Sequence, residues 1–541
     1  MNPPGARSRS RRWPAILLAA GLPFLLFAGH AALFGGWVID DAGISFAYAR
    51  SLAGGDGLVA QPGTERVEGF TNLAWTLLLA LSMAAGLFDP VVTPKALSAL
   101  LVLLTFLILA RAVVSGSLDR DRDPSAGDAH AIEDTLVAGL ALATAAALTP
   151  FAAWSVSGLE NPLYTLLAAS LAAGSLGALG AEPGHRRAIA LGLLAFLLFA
   201  ARPDGLLFLP LPALALGLAG GERSRRAAAI YWAAFIVPWA TLTAARLLYF
   251  GDPLPNTYYA KKGPAWDEVL GLLERLGPAA GGAVFIALVA AVAAGTVTAA
   301  AVLGRRAPRT LRHHAGPAVL AAFAVTAWLD FELLPTDWMP EFRFATALAL
   351  LAPLALLAVC AAAVRPLPPG RRRAVIVAAG LAALLGASAY GWRHTRAFAA
   401  APPVPFAHVR ALCRGMDAVA EAAGLERAAV ATPDVGGALW EDRFTVVDLA
   451  GLTDRALGRN PRGGPEAYLA YLLERRPELV WIHGYWVGRT GLPSLPGFTE
   501  RYLPLPVATD VPEATLHLRR DLAGGPESVT RAARAFEVTV E

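Results

Sequence analysis

Two adjacent carboxylates, Asp40 and Asp41, directly follow the first long apolar segment of the chain. A carboxylate at a membrane boundary is costly to desolvate and therefore often has a function. One of the pair could accept a proton from an attacking hydroxyl group. The structural alternative is an aspartate that caps a short amphipathic helix lying along the membrane interface, because Ile44, Ala47 and Tyr48 follow with helical spacing. Spacing alone leaves both interpretations open.

The elements that must position this pair are membrane-spanning. Of the 541 residues, 56% are hydrophobic and only 16% are charged, whereas soluble proteins carry about 25% charged residues. Segments such as Trp13–Phe34, Ala280–Leu303 and Phe344–Val364 contain almost no charge. Each is roughly the 20 residues that a helix needs to cross a bilayer. The composition predicts a polytopic α-helical membrane protein with about 11–13 transmembrane helices.

The remaining apolar segments predict further spans at Thr71–Leu87, Val91–Val114, Thr135–Thr149, Pro162–Leu179, Ala188–Leu216 and Ala374–Tyr390. The segment Ala188–Leu216 is either one long helix or a hairpin broken at Arg202–Gly205. The basic start and the first apolar segment could also be a signal peptide, but no small-residue cleavage site follows cleanly. The net charge of +4 does not indicate a nucleic-acid partner. Many of the basic residues lie in short loops between spans, where the positive-inside rule places them.

The same rule predicts the orientation. The arginines at 7–12 place the N-terminus in the cytoplasm, so that loop 37–70 is external. Three basic loops are expected to be cytoplasmic: 222–226, 305–314 and 365–373. The side of the membrane on which residues 115–160 lie stays open. Membrane crossings counted from the N-terminus and crossings counted back from residue 220 give opposite sides. We expect a multi-pass protein of the inner (plasma) membrane, with a transmembrane domain at 1–391 and a soluble extracytoplasmic domain at 392–541.

The soluble part is predicted to be a small α/β domain. Strands are expected at Arg427–Thr432, Phe444–Val447, Leu479–Ile482 and Thr515–Leu518, and helices at Phe406–Ala423 and Pro465–Glu474.

A set of short motifs then occurs in one order along residues 38–454. They are Asp40-Asp41, Ile44–Arg50, Gly55–Val59, Glu65–Asn72, Ser157–Leu163, Arg202–Gly205, Pro255–Lys261, Asp337–Pro340 with Arg343, and Asp448–Asp454. Together they resemble the GT-C glycosyltransferases, and most closely the branch that contains bacterial arabinofuranosyltransferases. This resemblance implies a GT-C fold and an inverting transfer of a sugar from a polyprenyl phosphate donor to a cell-envelope glycan or glycolipid acceptor outside the membrane. Arabinofuranose is one candidate sugar, and hexoses remain open.

The resemblance also implies roles for individual residues. Asp40 is favoured as the base, and Asp41 would orient the reactants or bind the sugar. The phosphate would be bound by Lys261, Lys262, Arg343 and Arg202. The sugar or the acceptor would be bound by Glu68, Asn72, Glu160, Asn256, Tyr258, Asp337 and Trp338. No metal or other cofactor is required, because cations can neutralise the lipid phosphate, although a divalent ion at the aspartates is conceivable.

Each of these residues has a structural alternative. Lys261 and Lys262 could be interfacial anchors beside tyrosines. Arg343 could pair with Glu341 or Asp337, and Arg202 with Asp204. Trp338 could be another interfacial anchor. Glu160 could lie at a helix start, and Glu68 could pair with a nearby arginine.

Two other functions fit the same composition. A transporter or flippase of lipid-linked saccharides would explain buried charges, but it predicts internal repeats that the sequence does not show. A non-catalytic glycan-binding scaffold would tolerate loss of the aspartate pair. Neither a transporter nor a scaffold would turn over a sugar donor. Measuring turnover by the purified protein therefore distinguishes both from a glycosyltransferase.

Overall fold

The computed structural model describes residues 12–118, 127–179, 184–219, 223–261, 289–303, 314–334, 338–460 and 463–540. Lys262 and Asp337, both predicted site residues, lie outside these ranges. The chain divides into two compact units. The helical unit comprises Met1–Gly36, Val91–Ala245 and Leu276–Pro403. The α/β unit comprises Trp37–Pro90, Arg246–Arg275 and Val404–Glu541.

The helical unit contains the long apolar helices. They span Trp13–Ala32, Val92–Ala112, Gly127–Ala147, Asn161–Leu179, His185–Ala201, Ala315–Leu333, Thr346–Ala363 and Pro369–Ala400, and Arg223–Phe250 begins in this unit. Within the described ranges, seven helices are long and apolar enough to cross a membrane. A bent pair, His130–Ala147 and Thr149–Ser155, would add an eighth. Shorter apolar helices are Pro203–Leu218 and Val289–Leu303 in this unit and Leu73–Ala84 in the α/β unit.

The first helix has the surface that a bilayer requires. Leu22 and Leu25 are 60% and 67% exposed on it, and leucines in such numbers are normally buried in a water-soluble protein. Elsewhere, small residues allow helices to approach closely. A Cβ atom on Gly391 would lie 2.0 Å from the carbonyl oxygen of Ala147. The polytopic helical fold class is confirmed.

The predicted span Ala188–Leu216 is broken. The helix His185–Ala201 ends at Arg202, which has an extended backbone, and a 3-10 helix follows at Pro203–Phe208. Proline disfavours the helical conformation of the residue before it, so Pro203 explains the break. Pro210–Leu218 then forms a second short helix. The break places Arg202 and Asp204 at a junction rather than on a continuous helical surface.

The α/β unit is built on a mixed five-stranded sheet. Its strands are β1 Ala429–Thr432, β2 Thr445–Asp448, β3 Leu479–Ile482, β4 Tyr502–Leu505 and β5 Thr515–Arg519. Their order is β2-β1-β3-β5-β4, with β2, β1 and β3 parallel and β5 and β4 antiparallel. The four predicted strands are confirmed. The edge strand β4 was not predicted, because Pro504 within it is atypical of a strand interior.

Helices cover this sheet and fill its core. They span Phe406–Ala422, Val435–Glu441, Arg455–Arg459, Gly464–Arg475, Tyr485–Thr490, Pro496–Thr499 and Pro526–Val540. The two predicted helices of this part are confirmed. One apolar core includes Val430, Trp481, Leu516 and Phe536, all fully buried.

The α/β unit also includes helices from earlier in the chain, namely Ala42–Gly54, Leu73–Ala84 and Asn256–Ala260. The structural alternative described an amphipathic helix after the aspartate pair. The helix that forms there, Ala42–Gly54, is instead buried on most sides. Nearly all its residues through Ala49 are buried, because it packs against Leu73–Ala84 on one side and Val435–Glu441 on another. The apolar spacing of Ile44, Ala47 and Tyr48 marks only part of a helix that is covered on most sides.

Candidate active site

Asp40 anchors the N-terminus of the Val435–Glu441 helix. Its Oδ2 accepts a hydrogen bond from the backbone N–H of Gly436 at 3.0 Å, and its Oδ1 accepts one from Gly437 at 2.7 Å. The first N–H groups of a helix have no partner within the helix. Asp434, at the N-cap position, makes no side-chain cap bond. Asp40 therefore caps this helix from a distant part of the chain.

The backbone around Asp40 is fixed as well. Its N–H donates to the carbonyl oxygen of Val404 at 3.0 Å, and the N–H of Phe406 donates to that of Val38 at 2.9 Å. Gly436 permits the close approach, because a Cβ atom there would lie 1.8 Å from the carbonyl oxygen of Asp40. These backbone hydrogen bonds and the close approach of Gly436 fix the position of Asp40 and of the adjacent Asp41 backbone.

The two aspartates have different surroundings. Asp40 is 4% exposed. Burial raises its pKa well above the ordinary value, the neighbouring charges of Asp434 and Asp41 raise it further, and the two backbone N–H groups oppose the rise. Asp41 is partly exposed and makes no side-chain cap bond to the helix that it precedes. The capping role considered from the sequence thus belongs to Asp40, and on another helix.

Asp40 lies at the carboxyl edge of the parallel strands. Asp434 follows β1, His483 follows β3, and Asp448 ends β2, paired in register with Thr432 of β1. His483 Nε2 lies 2.7 Å from Asp434 Oδ2. Ligands of open α/β sheets bind outside this edge of the strands. Sequence reasoning missed His483, although its position directly after a predicted strand was a usable signal.

Glu68 forms a buried ion pair with Arg246. Its Oε1 accepts from the Nε and one terminal nitrogen of that arginine at 3.1 and 2.9 Å. Both side chains are at most 4% exposed, and Glu68 Oε2 has no hydrogen-bond partner within the described ranges. Burial raises the Glu68 pKa, and the Arg246 charge lowers it. The predicted sugar-binding residue is therefore held inside the fold, away from solvent.

Two predicted amides have structural partners. Asn72 is buried and hydrogen-bonds with Ser45 and Thr76. Asn256 Nδ2 lies 2.9–3.0 Å from the carbonyl oxygens of Gly451, Leu452 and Asp454. The contacts of Asn256 order the loop that follows β2. The ligand-binding roles proposed for both amides stay predictions.

Tyr258 and Lys261 are more accessible. Tyr258 is half-buried in the short helix Asn256–Ala260, and burial raises its pKa. Lys261 directly follows that helix and is exposed. The roles predicted for both residues stay predictions.

In the helical unit, Phe344 brings two predicted phosphate ligands together. The guanidinium carbon of Arg202 lies 4.7 Å from the centre of the Phe344 ring, and that of Arg343 lies 4.9 Å from it. Arg202 also forms a bidentate pair with Asp204 at 3.1 and 2.5 Å, as the structural alternative expected. One of its terminal nitrogens, Nη1, is buried and has no hydrogen-bond partner in the described part of the chain. The pair with Asp204 therefore leaves one donor for a further acceptor.

A second layer supports Arg202. Its guanidinium lies 4.5 Å from the centre of the Tyr164 ring, and the Tyr164 hydroxyl donates to Asp330 Oδ2 at 2.8 Å. Asp330 is fully buried on the helix Ala315–Leu333 and was not predicted. The only sequence signal was an acidic residue inside an apolar segment.

The helical unit contains three more described residues with predicted site roles, namely Glu160, Trp338 and Arg343. Glu160 is buried and directly precedes the helix Asn161–Leu179, where a negative charge is favoured. Arg343 lies 3.0 Å from the sulfur of Met339. Glu341, one of the two partners that the structural alternative offered Arg343, accepts a hydrogen bond from the Tyr390 hydroxyl and contacts His394 at 2.7 Å. The other, Asp337, lies outside the described residues. Trp338 is 55% exposed.

The described residues contain no cluster of three or more His, Cys, Asp or Glu side chains placed to hold a metal ion.

No protein-family model matches the chain, and no curated protein sequence matches it significantly. Solved structures do match. The oligosaccharyltransferase AglB from Archaeoglobus fulgidus, in complex with an inhibitory peptide and a dolichol-phosphate, aligns with a TM-score of 0.52 at 11% identity, over 96% of this chain and 77% of that one. The chain therefore shares its fold with this archaeal oligosaccharyltransferase.

The apo form of the Archaeoglobus oligosaccharyltransferase aligns with the same TM-score of 0.52 at 13% identity, over 94% of this chain and 76% of that one. A third structure, of the archaeal enzyme with Zn and sulfate, has a TM-score of 0.46 at 12% identity and covers 80% of this chain. The protein spans 62% of that chain's length. The two alignments with a TM-score of 0.52 show a shared helical fold with a C-terminal domain. The arabinofuranosyltransferase branch stays a prediction.

Proposed function

We propose that the protein is an inverting glycosyltransferase that transfers a sugar from a polyprenyl phosphate donor to a cell-envelope glycan or glycolipid on the external face of the plasma membrane. The observation that carries this proposal is the aspartate pair, clamped at the carboxyl edge of the sheet within a GT-C fold. A rigidly held carboxylate beside an accessible one suits proton transfer from an acceptor hydroxyl. Arabinofuranose is the sugar that we propose to test first.

We assign the base to Asp41 and the positioning role to Asp40. The sequence resemblance favoured the opposite order. Both Asp40 oxygens already accept backbone N–H groups, and the side chain is almost fully buried. Asp41 is adjacent in the chain and partly exposed. An acceptor hydroxyl would therefore meet Asp41 first.

The reaction needs one proton acceptor and one anion-binding group. The acceptor oxygen attacks the anomeric carbon from the face opposite the phosphate, its proton passes to Asp41, and the bond between the anomeric carbon and the phosphate oxygen breaks with inversion. The leaving phosphate gains negative charge. We propose Arg202 and Arg343, which contact the same Phe344 ring within the helical unit, as ligands of a phosphate. Among the described residues, Nη1 of Arg202 has no hydrogen-bond partner. Lys261 and Lys262 are proposed as further cationic contacts.

The proposal requires no metal, because arginine and lysine can neutralise the leaving phosphate. It also requires the acceptor side to be external, with the N-terminus in the cytoplasm and the C-terminal domain 392–541 outside. Glu160, Asp337 and Trp338 remain proposed contacts for the sugar or the acceptor. This orientation is tested by introducing a cysteine into loop 37–70 and treating intact cells with a membrane-impermeant maleimide. Labelling of the cysteine is the result expected for an external loop.

Turnover by the purified full-length protein tests the reaction. The donor is synthetic polyprenyl phosphate arabinofuranose, with a polyprenyl phosphate hexose in parallel, and the acceptor is an envelope glycan fraction. Loss of a general base costs roughly 10²- to 10⁴-fold in rate, so Asp41→Asn should lose at least that much while keeping donor binding. Asp510→Asn, at a carboxylate that is 76% exposed, is the matched control.

Full activity of Asp41→Asn would exclude the assignment of the base. Donor binding without turnover by the wild type, combined with movement of the donor across reconstituted vesicles, would favour the flippase instead.

A further inference from the structure

The carboxyl edge of β1 and β3 carries polar groups that the proposed reaction does not use. Asp434 and His483 follow these two parallel strands and contact each other at 2.7 Å. Their side chains are 15% and 19% exposed, so both are held in place and both can be reached. A carboxylate has about four lone-pair sites, and the contact with His483 uses one of them. The pair can therefore donate to and accept from neighbouring hydroxyl groups.

The charge at this edge selects for a neutral ligand. Asp40, Asp41 and Asp434 lie close enough for their charges to act on one another. The carboxylate of Asp434 also raises the pKa of His483 despite the opposing effect of burial. The partly exposed carboxylates of Asp41 and Asp434 would repel a phosphate group at this edge. A polyhydroxyl ligand without charge meets no such barrier.

An exposed aromatic ring lies two residues beyond His483. Tyr485 is 72% exposed, and the half-buried Trp486 packs edge-on against it with ring centres 5.6 Å apart. The backbone N–H of Trp486 donates to the carbonyl oxygen of His483 at 2.9 Å. This hydrogen bond connects the turn that carries the two aromatic residues to the histidine of the polar pair. Between them, Gly484 has a positive φ of 46°, a conformation that glycine adopts most readily.

An exposed tyrosine supported by a second ring provides a flat apolar surface with a polar edge. The C–H face of a sugar ring is apolar, whereas its rim carries the hydroxyl groups. A sugar stacked on Tyr485 could thus present adjacent hydroxyls to hydrogen-bonding side chains.

We propose that Asp434, His483 and Tyr485 form a binding subsite for the acceptor saccharide, in which the aspartate and the histidine bind adjacent hydroxyl groups and the tyrosine ring stacks on the sugar face. This inference rests on the proposed glycosyl transfer. It adds the acceptor's chemical class, an uncharged oligosaccharide, and the surface that binds it. Because Asp434 lies beside the Asp40 clamp, the subsite would bring the acceptor to the aspartate pair.

Direct binding tests this subsite without turnover. The full-length protein in nanodiscs is presented to an array of neutral pentofuranoside and hexopyranoside oligosaccharides, and the dissociation constant is then measured for the best binder. Tyr485→Ala should weaken that binding about tenfold, which corresponds to roughly 1.4 kcal/mol, whereas Tyr485→Phe should retain it. His483→Gln and Asp434→Asn should each weaken it about fivefold to tenfold. Trp392→Ala, at a ring that is 64% exposed on another helix, is the matched control.

The outcomes separate the two proposals. Binding that depends on Tyr485 but without turnover by the wild type supports the subsite and refutes the transferase. Turnover with an acceptor KM that is unchanged in Tyr485→Ala supports the transferase and refutes the subsite. Absence of binding to every glycan on the array also refutes it. Thermal unfolding of each variant, matched to the wild type within a few degrees, is required before its binding is interpreted.

Discussion

Replacing Asp40 with alanine removes the acceptor of two buried backbone N–H groups, those of Gly436 and Gly437. Each buried donor left without a partner costs about 1–3 kcal/mol. The two together should lower the free energy of opening the Val435–Glu441 helix by roughly 2–6 kcal/mol. Removal of a buried carboxylate whose pKa is raised offsets part of this loss.

Hydrogen–deuterium exchange of a peptide covering 434–441 measures this opening directly. Since about 1.4 kcal/mol is a factor of ten, exchange at these amides should accelerate between roughly 30-fold and 10⁴-fold. Asp41→Ala is the matched control, because it removes an adjacent carboxylate while the Gly436 and Gly437 N–H groups keep Asp40 as their acceptor. Its exchange in this peptide should stay within about twofold of the wild type.

The sign of the pH dependence is also fixed. The pKa of Asp40 in the folded protein lies above the ordinary value of 3.8. The contribution of Asp40 to stability is therefore fully present below pH 3.8 and decreases as the pH rises through the folded-state pKa. The destabilisation by Asp40→Ala, corrected for intrinsic exchange, should therefore be larger at pH 5 than at pH 8. Equal exchange in the Asp40 and Asp41 variants, or a larger effect at pH 8, would refute the clamp.

Three other perturbations test the surrounding structure. Gly436→Ala should cost about 1–3 kcal/mol by overpacking and abolish turnover, since its Cβ atom would overlap the carbonyl oxygen of Asp40; an unchanged melting temperature would contradict this. Arg246→Leu should destabilise by about 3–5 kcal/mol because it leaves the buried Glu68 charge unpaired, and Glu68→Gln in the same chain should restore most of the loss in thermal unfolding. Burial raises the Asp448 pKa to about 6 from an ordinary 3.8, so stability that is present below about pH 4 should fall by roughly 3 kcal/mol as pH rises through 6. Asp448→Asn should remove this slope in denaturation measured from pH 4 to 7, and a slope that persists would assign it to another group.

Several residues that the family motifs single out have structural roles in the fold. Asn256 orders the loop after β2, Asn72 binds Ser45, and Glu68 pairs with Arg246. A motif residue can thus be required because it shapes the site rather than because it contacts a ligand. Predictions of loss of function at these positions should therefore be read together with thermal unfolding.

The sequence by itself determined the elements with strong local signals. Uncharged apolar segments of about 20 residues can be stable only inside a bilayer or a large core, so the polytopic helical class followed from composition. Short alternating runs between turns gave four of the five strands. Pro203 indicated the break at Arg202 and Asp204. Each of these signals depends on neighbours within one element.

Only the tertiary structure decided which charges meet. Asp40 and Gly436 are 396 residues apart in the chain, and no local pattern encodes that contact. The same holds for Asp434 with His483 and for the two arginines at Phe344. Hydrogen bonds and ion pairs depend on distances of about 3 Å between groups, and these distances are set by packing of whole elements. Residue types therefore indicated the chemistry, whereas packing decided whether each side chain is buried as an anchor or exposed to a ligand.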